Sequence, residues 1–118
     1  MDDMRPSGIK RIKLLIVIVD RGYGDEVAAT LRENEVTFNF ISPAYCAAGS
    51  QLMDYLGLTD LERDLVFSIV SEHIAHDVLN KILYKFNLDK PSKGIAFTIP
   101  ICGVSGPLAL RYMVGLQE

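Results

Sequence analysis

Residues 44–63 read AYCAAGSQLMDYLGLTDLER, and the fold turns on what this stretch is. It lies between two apolar runs, Val36–Pro43 and Asp64–Val70, that read as neighbouring strands of one sheet. Two or three residues close a tight hairpin. A connection this long inside a compact domain is therefore a functional loop or a disordered one. Its charges are mixed, and it carries Tyr45, Met53, Tyr55 and several leucines, too apolar a composition for a plain linker. It reads as a recognition loop with one helical turn around Gln51–Leu56. The alternative is a short helix lying on the sheet with no ligand.

Working outward, Arg11–Val19 is the strongest strand signal, apolar on both faces after Lys13, which predicts a central position. Asp20-Arg21-Gly22-Tyr23-Gly24 breaks it in a tight turn. Asp25–Glu33 then places Val27, Ala28 and Leu31 at helical spacing, with two acids in the first turn and Asn34 as the stop. Val36–Ser42 alternates as a half-buried strand that Pro43 is expected to end. Beyond the long loop, Leu65–Val70 is again apolar on both faces. Ser71 is a candidate cap for a helix whose core stripe is Ile74, Val78, Ile82 and Phe86, widened by Leu79 and Leu83. Lys90–Gly94 is a turn. Ile95–Ile101 is the last strand, and Pro100 pushes its end toward a sheet edge.

This order, strand–helix–strand, long loop, strand–helix–strand, gives an α+β class and a ferredoxin-like βαββαβ plait: an antiparallel sheet, two helices on one face and a long β2–β3 loop. Residues 1–10 read as a disordered tail, 11–102 as the domain, and 103–118 as a C-terminal tail too apolar to stay in water. The helices can cover only one face of strands that are apolar on both. The other face is expected to be buried by further copies of the chain, a homo-oligomer.

The chain has 118 residues, 49% of them hydrophobic, and a net charge of −3. One domain with a core that needs no disulfide or metal follows from the length. No basic face is large enough for a general nucleic-acid or acidic-membrane binder. Cys46 and Cys102 make no disulfide framework, which fits a reducing compartment. Met1–Lys13 is polar rather than a signal peptide, and Leu14–Val19 is too short to span a bilayer. The expected location is cytoplasmic, without direct membrane insertion.

From Ile12 to Ile101 the sequence resembles the PII-like (nitrogen regulatory PII) signalling proteins. The resemblance is carried by Ile12–Val19, by the Gly22–Val27 helix entry, by Val36-Thr37-Phe38-Asn39 before a long loop, and by Asp64–Val70. Its most specific block is Lys90-Pro91-Ser92-Lys93-Gly94-Ile95-Ala96-Phe97-Thr98-Ile99-Pro100. The resemblance implies a homotrimer with inward-facing sheets, residues 44–63 as the T-loop, Lys90–Gly94 as the B-loop, and a regulator rather than an enzyme. It implies an adenine nucleotide (ATP, ADP or AMP) or another small anionic effector in clefts between subunits, and a T-loop that docks on a transporter, enzyme or transcription regulator. The effector residues so implied are Ser42 and Tyr45 at the T-loop base, Lys90, Ser92, Lys93 and Gly94 in the B-loop, and Arg111 in the tail. Gln51 and Tyr55 would meet the partner, and Tyr55 is similar in position to a T-loop tyrosine that some members have uridylylated. The sequence departs from the family at Ser42–Cys46, where no Gly or Gln stands, and at Pro91-Ser92-Lys93-Gly94, which has fewer glycines than Gly-Asp-Gly-Lys.

The residues themselves allow other readings. Two cations beside a flexible backbone at Lys90–Gly94 suit an anion, and equally a solvated turn. His73 and His76, with Glu72 or Asp77, fall short of a metal site's three or four ligands. Asp60, Glu62 and Asp64 read as a wet loop end. An enzyme on the same plait using His73 or Cys46, and a ligand-free oligomeric scaffold, remain the alternatives to a regulator.

Overall fold

The computed structural model describes residues 11–45, 62–90 and 93–114. The expected N-terminal tail, the helical turn at Gln51–Leu56, and Cys46, Gln51, Tyr55 and Ser92 lie outside the described residues. The elements are β1 (Ile12–Asp20), α1 (Gly24–Glu33), β2 (Asn39–Tyr45), β3 (Glu62–Ser71), α2 (Glu72–Lys85), β4 (Ile95–Pro100) and α3 (Pro107–Val114). The four strands form one antiparallel sheet in the order β2-β3-β1-β4. This is the ferredoxin-like α+β architecture expected of the sequence, with the doubly apolar β1 and β3 at its centre.

Strand alternation divides the side chains cleanly. Leu15, Val17 and Val19 of β1 and Val66 and Val70 of β3 point to the side covered by α1 and α2. There they pack with Val27 and Leu31 of α1 and with Ala75, Val78 and Ile82 of α2, all buried. Burying a side chain of this size stabilises by about 1.5–3 kcal/mol, so this layer drives folding. Ser68 is buried among them and donates to Asn39 Oδ1 at 2.5 Å, which satisfies both polar groups. Ser71 stands at the N-cap of α2 as expected, but its side chain makes no capping hydrogen bond.

Both helices end alike. After α1, Glu35 takes a positive φ of 66° while Val36 N–H reaches back to Leu31 O at 2.9 Å and Glu35 N–H to Arg32 O at 3.1 Å. After α2, Asn87 takes φ 56° and Leu88 N–H bonds Leu83 O at 2.9 Å. Each is a Schellman-type cap built on a residue other than glycine.

Three boundaries correct the sequence reading. Pro43 does not end β2, which runs on to Tyr45 opposite Glu62. As an edge strand, β2 tolerates a residue with no N–H to give. The hairpin stem therefore includes Ala44, Tyr45, Glu62 and Arg63, and the connection between the two strands spans residues 46–61 rather than 44–63. The segment expected to be a C-terminal tail contains α3, whose Leu110 is buried against Ile12 and Ile69. That places α3 on the sheet face opposite α1 and α2, at the end where β1 begins.

The rest of that second face is open in the single chain. Phe40, Ile95, Phe97 and Ile99 are exposed by 58%, 40%, 38% and 44%, beside the half-buried Ile16, Ile18, Leu65 and Phe67.

Candidate functional site

The end of the sheet where β1 stops gathers most of the expected site. β1 leaves it through the tight turn Asp20–Gly24, closed by Tyr23 N–H to Asp20 O at 3.1 Å, with Gly22 at φ 102°. A helix start leaves N–H groups without intrahelical partners. Tyr23, at the N-cap, makes no side-chain capping hydrogen bond. Asp64 of β3 supplies the acceptor: its Oδ2 accepts from Gly22 N–H at 2.8 Å and from Gly24 N–H at 3.0 Å. The carboxylate thus caps α1 from another element, with the favourable sign for the helix dipole. Gly24 must be glycine here, because a Cβ would stand 2.8 Å from Ile41 Cγ2 and 2.9 Å from Asp64 Oδ2.

Charges extend this contact around the loop stem. Arg21 Nε lies 3.3 Å from Asp64 Oδ1 and donates to Arg63 O at 3.2 Å, while its Nη1 is 3.6 Å from Glu62 Oε2. The buried Arg63 points its Nη1 to Asp20 Oδ1 at 2.6 Å and to Glu62 O at 3.1 Å. Asp64 therefore corrects the sequence reading: it is a buried, fully used acceptor rather than part of a wet loop end. The signal that could have found it is the missing cap at Tyr23, which requires an acceptor from elsewhere.

Beside this network lies a cavity of about 230 Å³ lined by Val19, Asp20, Tyr23, Glu26, Lys85, Phe86, Asn87 and Lys93. The Schellman cap after α2 brings Phe86 and Asn87 to it. Gly94 brings Lys93: at φ 120° it passes so close to β1 that a Cβ would sit 2.2 Å from Ile18 O.

Of the residues expected to bind an effector, Lys93 and Gly94 stand at the entry to β4, with Lys90 exposed one turn earlier, its N–H on Asn87 O at 3.1 Å. Ser42 and the 74%-exposed Tyr45 stand on β2 at the same end of the sheet. The two groups occupy opposite edges, three strand spacings apart, roughly 14 Å. Arg111 is exposed on α3 at the far end, separated by the length of β1, roughly 26 Å. One chain therefore gathers Lys90, Lys93 and Gly94, leaves Ser42 and Tyr45 across the sheet from them, and does not bring Arg111 to either. His73 and His76 are exposed, with His76 Nε2 3.3 Å from Asn80 Nδ2, and no group of three metal-ligating side chains occurs among the described residues.

Sheet order, helix placement and the long β2–β3 connection together define a ferredoxin-like plait. No protein-family model matches the sequence, and no curated protein matches it. Among solved structures the chain is similar to a Thermus thermophilus protein described as a PII-like signalling protein. The TM-score is 0.58 at 15% identity, over 78% of this chain and 87% of that one. It is also similar to the Bacillus cereus protein related to NIF3, with TM-score 0.57 and 15% identity over 85% of this chain. The chain spans only 27% of the length of that second protein. At such identities the likeness establishes a PII-like fold. Among the described residues no helix is long and apolar enough to cross a membrane.

Proposed function

We propose that this protein is a cytoplasmic PII-like regulator. In this reading it assembles as a homotrimer, binds a small anionic effector of the adenine-nucleotide class between subunits, and acts on a partner protein through the loop at 46–61. The observation that carries the reading is the split of the candidate residues between the two edges of one sheet end. Ser42 and Tyr45 lie on β2, while Lys93 and Gly94 lead into β4 and Lys90 stands in the turn after α2. A closed ring sets unlike edges of neighbouring chains side by side, which joins the halves that one chain holds apart. The open apolar face gives such a ring its driving force. Ligand that binds one loop state better than another would then shift the loop population, a switch without turnover.

The test is isothermal calorimetry of the purified protein against ATP, ADP, AMP and cyclic AMP, each with and without 2-oxoglutarate and bicarbonate. Saturable binding near one site per chain, weakened by Lys90→Ala or Lys93→Ala, is expected. Silence across the panel refutes a nucleotide sensor. Partner binding that is indifferent to both lysine variants points to a scaffold, and turnover lost on His73→Ala points to an enzyme.

A further inference from the structure

The cavity between the start of α1, the end of α2 and the entry to β4 shares Lys93 with the proposed nucleotide cleft, but its other lining residues belong to neither half of that cleft. At about 230 Å³ it is smaller than the roughly 300–1,000 Å³ of pockets that enclose drug-sized ligands, and suits a small molecule. Its polar groups divide by origin. Asp20 and Glu26 come from the β1–α1 side, and Lys85 and Lys93 come from the α2–β4 side. Val19, Tyr23 and Phe86 supply apolar and aromatic wall between them.

Not all four charges are already engaged. Lys85 Nζ donates to Thr30 Oγ1 at 2.8 Å and lies 5.9 Å over the Phe86 ring. Asp20 holds Arg63 through Oδ1, and no donor among the described residues reaches its Oδ2. The side chains of Glu26 and Lys93 have no ionic or hydrogen-bonding partner among the described residues. A free anion entering this cavity meets the carboxylates of Asp20 and Glu26 as well as the ammonium groups of Lys85 and Lys93, and a free cation meets the same mixture. A molecule carrying both charges a few bonds apart is attracted at both ends.

We propose that this cavity binds a free α-amino acid or a comparable small zwitterion. Its carboxylate sits on Lys93, its ammonium on Glu26 and Asp20, and its side chain against Tyr23 and Phe86. Because Asp20 is also the anchor of Arg63, the ligand and the loop stem share one carboxylate.

The experiment is calorimetric titration of the full-length protein with the standard α-amino acids one at a time. The N-acetylated form of any binder, which loses the cation, and its amidated form, which loses the anion, are titrated beside it. At least one amino acid should bind saturably, with both single-charge forms weaker by about fivefold or more. Glu26→Gln should weaken the amino acid by a similar factor while leaving the thermal melt and any nucleotide binding unchanged. Glu26 lines only this cavity, and the variant leaves Lys93, which both readings use, in place, so the two proposals fail separately. No binder up to millimolar concentration, an amide or acetyl form that binds as well as the parent, or an indifferent Glu26→Gln would each overturn the assignment.

Discussion

Asp64→Ala tests whether one carboxylate of β3 holds the entry to α1. The substitution removes the acceptor of two backbone N–H groups, Gly22 at 2.8 Å and Gly24 at 3.0 Å. The Gly24 hydrogen bond is buried, and a buried donor left without a partner costs about 1–3 kcal/mol. Gly22 N–H is only part-buried and recovers some of its loss from water, leaving about 1 kcal/mol. The Arg21 pair is partly exposed and adds at most about 1 kcal/mol. The expected loss is about 2–5 kcal/mol, or roughly 10–20 °C in melting temperature for a domain of this size. Asp64→Asn keeps a side-chain oxygen but not its charge, and should lose about half as much. Urea unfolding at one fixed protomer concentration measures both, since self-association would otherwise enter the midpoint. An Asp64→Ala variant within about 0.5 kcal/mol of the parent would falsify the trans-capping account.

Other substitutions probe separate parts of the fold. Gly94→Ala drives a Cβ to 2.2 Å from Ile18 O and should cost at least about 3 kcal/mol in urea unfolding, whereas Gly22→Ala, at φ 102° but in open space, should carry only backbone strain of about 1–2 kcal/mol. Glu35→Gly relieves a left-handed residue at φ 66° in the α1 cap and should raise stability by about 1 kcal/mol; a lower melting temperature would contradict the cap assignment. Phe97→Glu puts a charge into the open sheet face, and sedimentation should show a smaller particle with unchanged far-ultraviolet circular dichroism. An unaltered mass would mean that this face is not the interface.

The parts of the fold that sequence reveals are those whose signal is local. Leu15, Val17 and Val19 alternate with Leu14, Ile16 and Ile18, so β1 declares itself central before any partner is known. The Val78 and Ile82 stripe declares α2 in the same way. What escaped the sequence depends on distant contacts. Whether Pro43 ends a strand depends on its standing at an edge, which the neighbouring strands decide. α3 had a usable sign, Pro107 at its first position, but its short apolar run makes sense only against Ile12 and Ile69. Asp64 is one of several acids near a loop until Gly22 and Gly24 are seen to lack any other acceptor. Lys93 was legible as a cation in a turn. Its neighbours Glu26 and Phe86 were not, because no spacing rule joins the start of one helix to the end of another.

The open face and the candidate effector site are physically tied. Tyr45 and Lys93 stand on opposite edges of the sheet, roughly 14 Å apart by backbone spacing, and the cavity at Lys93 is not lined by Tyr45. Under the proposed function the ring brings a β2 edge against a neighbour's β4 edge, and the ring exists only because Phe40, Phe97 and Ile99 seek cover. Phe97 belongs to no ligand-binding set, yet Phe97→Glu should abolish nucleotide binding in step with the loss of oligomer. It should leave the cavity at Glu26 and Lys93 intact, since that cavity is complete in one chain. A dispersed Phe97→Glu protein that still binds nucleotide with parental affinity would place the effector within a single subunit and remove the reason for a cleft between chains.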